Sequence, residues 1–364
     1  MRIAYLTLAY SMHINIKLKY FDENDEIVFL AMMNNDLHDR AALKIRDNTE
    51  VYYFQHYYDL PSQIKTAGEI KTIITKKRID ILHIIDMAYA IYALLLKSFG
   101  TKIVLENNGS DVLLPKNKET RILYRVAYKV ADAVVQDSFA SQKAGIRLGA
   151  SKKNNKVIEL GIDTNIFNPN IKKGIFKRKY GIPANAKVIL SPRRFTSLYN
   201  IVSIISIMKD VWNRYPETWF VFCTYTQNIR YKYLIDKESR GERVLYLGYM
   251  DNENEMPYVY RDSDVIISIP KSDSSPRSVY ESIATGGNVI ASDLPWIDGK
   301  FERNRDLFVI DSDNKERLVN LILGIMNEEY ILDKSHAYKS ICKNLDYHLS
   351  AIELKSMYHK LLRR

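Results

Sequence analysis

Ile269-Pro-Lys-Ser-Asp-Ser-Ser-Pro-Arg-Ser-Val-Tyr-Glu-Ser-Ile-Ala-Thr-Gly-Gly-Asn-Val-Ile-Ala-Ser-Asp293 is the stretch on which the reading of this chain turns. A strand ends at about Ile269, a loop of small polar residues follows, and a helix begins near Pro276. The hydroxyls of Ser274 and Ser275 suit the cap of that helix, which leaves its first amides, from Arg277 and Ser278 to Val279 and Tyr280, open to an anion. Glu281 falls about one turn further on. With Val279 and Ile283 against a sheet, Glu281 faces back toward the crevice at the strand ends, where a carboxylate can accept both hydroxyls of a ribose. A simple helix cap followed by a solvated glutamate is the competing account of the same residues.

The strand-and-helix alternation of this stretch extends over the whole chain. In the first half, Ile3 to Leu8, Glu26 to Ala31, Ile79 to Ile85, Lys102 to Glu106 and Ala133 to Gln136 read as strands. Amphipathic helices over Ile64 to Lys77, Ala88 to Phe99, Glu119 to Val130 and Ser138 to Leu148 lie between them. The pattern breaks at a basic segment, Lys172 to Gly181, and starts again after Pro183. The second series has strands at Lys187 to Leu190, Trp219 to Cys223, Val244 to Leu247, Val265 to Ile269, Asn288 to Ala291 and Leu307 to Ile310, with helices at Ile201 to Tyr215, Arg277 to Thr285 and Lys315 to Asn327. Such alternation predicts parallel sheets with crossover helices, an α/β chain of two Rossmann-like domains. The expected division is residues 1–170, residues 171–345, and a helical tail over 346–364 that packs back on the first domain. A length of 364 residues agrees with two domains of roughly 100 to 200 residues each.

Composition narrows the field. The longest apolar run, Met87 to Leu96, is about half the ~20 residues a membrane-spanning helix needs. Met1 to Tyr10 holds one basic side chain and runs into the polar Asp22 to Glu26, so it reads as a first strand rather than a signal peptide, and a cytoplasmic protein is expected. Two isolated cysteines, Cys223 and Cys342, predict buried thiols and neither a disulfide nor a zinc site. A formal net charge of +10 favours an acidic partner: nucleic acid, an anionic membrane surface or a phosphorylated substrate. No nucleic-acid-binding motif accompanies the charge, and no nucleic-acid partner is expected.

The quoted stretch resembles the donor-binding signature of family 4 of the retaining glycosyltransferases. Asp273 and Glu281 stand at its seven-residue acidic spacing, followed by Ala284, Gly286, Val289, Ile290, Ala291, Ser292 and Asp293. Leu160-Gly-Ile-Asp-Thr-Asn-Ile-Phe-Asn-Pro169 is similar to the family's interdomain segment, and Tyr246-Leu-Gly-Tyr-Met250 to its base-binding strand and loop. The resemblance implies the GT-B fold, two Rossmann-like domains facing across a cleft, with backbone groups near Tyr249 and Met250 on the base. It implies Arg194 as the ligand of the donor diphosphate, with Tyr199 at the family's lysine position and Arg193 or Lys271 supplying the missing cation. Glu106-Asn-Asn-Gly-Ser-Asp-Val112 resembles a loop of the first domain, which implies acceptor-side roles for Asn108, Gly109, Ser110 and Asp111. Asn108 replaces the family's aromatic or histidine, so no histidine acts from that position. His13, after the first strand, is a further acceptor-side candidate, though a lone histidine at a helix start is more often structural.

The chemistry so implied is retaining transfer of a hexose or N-acetylhexosamine from a nucleotide sugar, UDP-linked by analogy, in which the leaving diphosphate takes the acceptor's proton. No cofactor is expected beyond that substrate. The seven histidines are scattered, Asp311-Ser-Asp313 lies near the far end of the second sheet, and Asp262-Ser-Asp264 comes just before a strand rather than after one, so both pairs are poorly placed for a metal–diphosphate and no catalytic metal is expected. The basic, aromatic helix Arg121 to Lys129 suits a peripheral seat on an anionic membrane surface, which would make the acceptor a polyprenyl-diphosphate-linked saccharide in bacterial surface polysaccharide (O-antigen or capsule) assembly. A catalytically inactive nucleotide-sugar-binding protein and a basic nucleic-acid-binding protein are the rival readings.

Overall fold

The computed structural model describes the chain outside residues 10–11, 22–23, 34–48, 98–99, 225–227, 240–242 and 364. Two compact units result, Met1–Gly161 with Tyr347–Arg364, and Ile162–Asp346. The first unit's strands are β1 (Arg2–Leu8), β2 (Glu26–Met33), β3 (Glu50–Gln55), β4 (Ile81–Ile85), β5 (Lys102–Asn107), β6 (Ala133–Gln136) and β7 (Asn155–Val157). They form one sheet in the order β3-β2-β1-β4-β5-β6-β7. Its helices include α1 (Met12–Lys19), α2 (Leu60–Lys77), α3 (Ile91–Leu96), α4 (Ser110–Leu113), α5 (Lys118–Val130) and α6 (Phe139–Arg147).

The second unit begins with α7 (Ile175–Lys179) and β8 (Val188–Ser191), then α8 (Ile201–Ser206), α9 (Met208–Arg214), β9 (Trp219–Cys223), α10 (Ile229–Ser239) and β10 (Val244–Leu247). It continues with α11 (Met256–Asp262), β11 (Val265–Ser268), α12 (Arg277–Ala284), β12 (Val289–Ser292), β13 (Phe308–Ile310), α13 (Lys315–Met326) and α14 (Lys334–Asn344). Its sheet runs β10-β9-β8-β11-β12-β13. The terminal helix α15 (Tyr347–Leu362) belongs to the first unit.

Among the described residues, the strand pairs of both sheets are parallel. Parallel neighbours cannot be joined by a tight turn, so the chain crosses each sheet through helices and both faces are covered. This explains the continuous apolar runs: Ile3 to Leu6 in β1 and Val188 to Leu190 in β8 are at most 1% exposed. In each sheet the chain builds outward, returns, and builds the other way. The reversal lies between β1 and β4 in the first unit and between β8 and β11 in the second. Loops at the carboxyl ends of such strands are where open parallel sheets bind ligands.

Two strands lie outside the sequence expectation, β3 and β7, and both are sheet edges. Only Phe54 of β3 is buried, and β7 is three residues long, so neither carries the apolar run of a central strand. The single helix expected over Ile201 to Tyr215 is two, α8 and α9, parted at Ile207 within an isoleucine-rich run whose branched side chains crowd a helical turn. In place of the single helix expected over Ala88 to Phe99 stand a 3₁₀ turn, Met87–Tyr89, and then α3, with residues 98–99 outside the described residues.

Beneath the first sheet, α1 and α15 share an apolar core with β1, β2 and β4. Inside it lies a chain of polar groups almost entirely out of water. The Lys17 ammonium of α1 is 2.8 Å from Glu106 of β5, and His83 Nε2 of β4 is 3.0 Å from the same oxygen. His83 Nδ1 meets the Tyr358 hydroxyl of α15, which lies 3.1 Å from the Tyr5 hydroxyl of β1. Burial raises the Glu106 carboxyl, but the Lys17 ammonium and His83 outweigh it and bring the carboxyl down to about 2. Burial lowers His83 from its ordinary range, against the pull of the Glu106 carboxylate. Breaking the ion pair from one side leaves a charge stranded in the core. Lys17→Met is therefore expected to cost about 3–5 kcal/mol, read as the urea midpoint. Lys17→Met with Glu106→Leu should cost less than Lys17→Met alone, and a double variant less stable than the single one would contradict the account.

Candidate functional site

In the second unit the two loops flanking the reversal point come together. Ser191 to Asn200 follows β8, and Ile269 to Pro276 follows β11. The Lys271 amide donates to the Leu198 carbonyl at 3.0 Å, joining the loops through their backbones. Across that join, Arg193 pairs with Asp273, and its other terminal nitrogen donates to the Ser278 hydroxyl at 3.0 Å. The two side chains are 10% and 15% exposed, so each compensates a charge that would otherwise be costly to bury. The guanidinium also stacks 4.3 Å from the Tyr199 ring centroid. Arg194, the residue expected on the diphosphate, has an exposed side chain. Lys271 is exposed as well.

Helix α12 starts differently from the sequence expectation. Its cap is Pro276 with no side-chain cap bond, so neither Ser274 nor Ser275 closes it. Ser274 is buried, its amide bonded to the Asp273 carboxylate at 3.0 Å. The amides of Val279 and Tyr280 close on the Pro276 carbonyl, at 2.9 and 3.1 Å. These two are therefore not open to an anion, and their side chains belong to the core, Tyr280 edge-on to Trp296. The first-turn amides left to meet a ligand are those of Arg277 and Ser278.

Glu281 is 2% exposed. Its Oε1 accepts from Asn252 at 3.1 Å and pairs with Arg277 at 3.0 Å, and its Oε2 accepts from the Tyr260 hydroxyl at 3.0 Å. Burial pushes this carboxyl up, against Arg277, Asn252 and Tyr260, which all favour the ionised form. Three donors on a carboxylate with about four acceptor positions leave room for roughly one more. The competing account of a solvated glutamate is thus excluded, and Glu281 is embedded in a network with α11 and the segment before it. Tyr249 is 41% exposed beside buried Met250, whose sulfur accepts from the Tyr180 hydroxyl at 3.6 Å. The two Asp-x-Asp aspartates nearest this region serve the backbone: Asp262 accepts the amides of Gly174 and Lys177, and Asp264 that of Val188.

In the first unit, Gly109 takes a φ of 89°, a turn its missing side chain permits, and its carbonyl accepts the amides of Val112 and Leu113. Asp111 accepts from the amides of Val112 at 2.8 Å and Met87 at 3.2 Å, with the Asn108 amide at 3.5 Å. Ser110 and His13 lie in the first turns of α4 and α1, with side chains outside the described residues. A residue without a sequence prediction stands beside Asp111: Asp86, directly after β4, at a φ of 81° that is unusual for aspartate. Its position at the end of the buried run Ile81 to Ile85 is the signal that marks it. His56, after β3, packs edge-on to Tyr58 and Tyr89.

Burial and then the Asp86 charge push Asp111 up to about 7, against its three amide donors. A carboxyl raised in the folded state adds stability that is complete below the unfolded value, about 4, and is lost as pH rises through 7. Relative to Asp111→Asn, the wild type should therefore lose stability between pH 5 and pH 8. Urea midpoints at both values test this, and an unchanged gap between the two proteins would count against the shift.

Comparison with known proteins agrees with this frame. Residues 172–344 match the model of glycosyl transferases group 1, and residues 2–138 match that of glycosyl transferase 4-like proteins. No curated protein matches the sequence. Among solved structures, a sucrose-phosphate synthase from Thermosynechococcus elongatus superposes with a TM-score of 0.84 at 14% identity, over 100% of this chain and 99% of that one. A glycosyltransferase from Rickettsia africae gives 0.80 at 19%, over 100% and 99%. HepE from Anabaena in complex with UDP-glucose gives 0.78 at 17%, over 98% and 99%. At such identities the superpositions establish the fold, while the two sequence models speak for the activity class. Two parallel Rossmann-like units, each matched by a glycosyltransferase model, make this chain a glycosyltransferase of the GT-B fold.

Proposed function

We propose that the second unit binds a nucleoside diphosphate sugar at the loops after β8 and β11, and that the sugar passes with retention to a saccharide hydroxyl held by the first unit. The observation that carries this reading is the convergence, at one reversal point, of Arg193, Asp273, Ser278 and the open amides of Arg277 and Ser278. A cation and helix-start amides aimed at one place suit a diphosphate whose charge grows as the sugar leaves. We assign that task to Arg193, bonded to Ser278 at the start of α12, with the exposed Arg194 beside it. Glu281, one turn along α12, has a remaining acceptor position for a ribose hydroxyl, and we assign Asp273, in the loop after β11, to the transferred sugar. The leaving diphosphate takes the proton of the attacking hydroxyl, so no enzyme nucleophile and no metal enters the scheme.

A uridine-linked hexose is the donor we favour, because HepE, similar in fold, is solved with UDP-glucose. On the acceptor side, the half-buried carboxylates Asp86 and Asp111 suit sugar hydroxyls, which donate hydrogen bonds to them. Helix α5 bears on the membrane reading in modified form. Tyr124 and Tyr128 are buried, so the aromatic part of the expected surface is absent. Ile122 and Val126 are exposed between Arg121, Arg125 and Lys129 on the outer face, an apolar and cationic strip that suits an anionic bilayer and hence a lipid-linked saccharide. Co-sedimentation with anionic vesicles that is lost at high salt and in Ile122→Glu is the expected result.

Thermal denaturation with UDP, GDP, ADP and their sugars tests the donor reading. One nucleotide should stabilise the wild type, with affinity falling roughly tenfold or more in Arg193→Ala and Glu281→Ala, as expected when a buried charged contact is lost. No stabilisation by any nucleotide would remove the donor site from the account.

A further inference from the structure

Arg193 is held on three sides. Asp273 accepts from one terminal nitrogen, Ser278 accepts from the other, and the Tyr199 ring covers a face of the guanidinium at 4.3 Å. Two of its five N–H donors are so committed, and the remainder lie in the same plane, since the group is rigidly flat. Whatever fixes that plane fixes where the remaining donors point.

Asp273 and Ser278 fix two atoms of the plane. A plane anchored along one edge still pivots about that edge, and the ring on its face removes this freedom. The ring itself is well anchored. It ends the 3₁₀ turn Ser197–Tyr199, and one side of it packs on the core of α8, α10 and β9. Before it, the Leu198 carbonyl is bonded to Lys271. After it, Asn200 adopts a left-handed φ of 53° and ties its side chain to the Ser312 carbonyl at 2.7 Å and to the Ser203 hydroxyl at 2.9 Å. The backbone on both sides of Tyr199 is thus pinned to other elements, and the packing of one side of the ring on that core opposes its rotation away from the guanidinium.

From this geometry we infer that Tyr199 is a positioning residue for the nucleotide's diphosphate: it orients Arg193 so that the in-plane donors not used by Asp273 and Ser278 meet the phosphate oxygens. The inference rests on the donor reading given above. A basic side chain at position 199 would add charge to the loop; an aromatic one adds order to the charge already there. The loop therefore relies on one oriented guanidinium together with the amides of Arg277 and Ser278.

Calorimetric binding of UDP, GDP and ADP, each beside its free nucleoside, to the wild type, Tyr199→Phe and Tyr199→Leu is the test. Tyr199→Phe keeps the ring and should bind as the wild type does. Tyr199→Leu should lose roughly tenfold in affinity for the nucleoside diphosphate, in keeping with a partly buried cation–ring contact, and nothing for the nucleoside. Equal losses for diphosphate and nucleoside would mean a damaged site rather than a misaimed arginine and would overturn the inference. So would a leucine variant that binds diphosphate as the wild type does, or a phenylalanine variant as weak as the leucine one. A wild type that binds no nucleoside diphosphate at all overturns the donor reading as well, which separates the two failures.

Discussion

A guanidinium and a carboxylate withdrawn from water, Arg193 against Asp273, hold together the two loops on which the second unit's site is built. Either charge alone would be expensive to keep there, so the loops are obliged to stay in register with each other. The arrangement of the site depends on that obligation. With the β8 loop fixed to the β11 loop, the start of α12 faces the same space as Arg193, and Ser278 completes the guanidinium's contacts. One turn further, Glu281 is held by donors from three places, Asn252, Tyr260 and Arg277, so its carboxylate is positioned before any ligand arrives.

The two units present opposite electrostatic characters at their strand ends. In the second, a cation and unoccupied helix-start amides favour an anion. In the first, the Asp86 charge stands close enough to Asp111 to raise its affinity for protons, and burial raises both carboxyls. A paired carboxylate site of this kind repels phosphate and accepts hydrogen bonds from hydroxyls. The difference arises from the residues that each strand leads into: small residues and arginine after β8 and β11, aspartates after β4 and β5.

The class of fold is legible in the sequence because buried parallel strands need unbroken apolar runs, and most of the central strands have one. The edges escape detection for the same reason. Glu50-Val-Tyr-Tyr-Phe-Gln and Asn155-Lys-Val are covered on too little of their surface to need the pattern. At the candidate site, the spacing of Asp273 and Glu281 is visible in one dimension, whereas their partners are not. Asn252 and Tyr260 reach Glu281 only through the packing of α11 on α12, and no local pattern encodes that. The choice between neighbouring arginines is also invisible to sequence. Arg193 and Arg194 share composition and context, and only the folded loop after β8 sets Arg193 against Asp273 and Ser278 while leaving Arg194 exposed. Ser274 and Ser275 have the right chemistry for a cap, yet Pro276 occupies the cap position and the first turn of α12 closes on the Pro276 carbonyl.

The first unit is discontinuous in the chain, with α15 returning to it after the whole second unit. Tyr358 lies 353 positions beyond Tyr5, whose hydroxyl it meets. During synthesis at roughly 5–20 residues per second, the β1 and β4 side of the first core would wait on the order of 10 to 40 s for its last helix. Throughout that interval His83 lacks the hydroxyl at its Nδ1, and Leu354, Met357 and Leu361 have yet to cover the apolar face beside α1. The second unit, contiguous and self-contained, has no such wait. The order of completion is therefore the reverse of the order of translation, and the half-made first unit is the stage of the protein's life at which a chaperone would find exposed apolar surface.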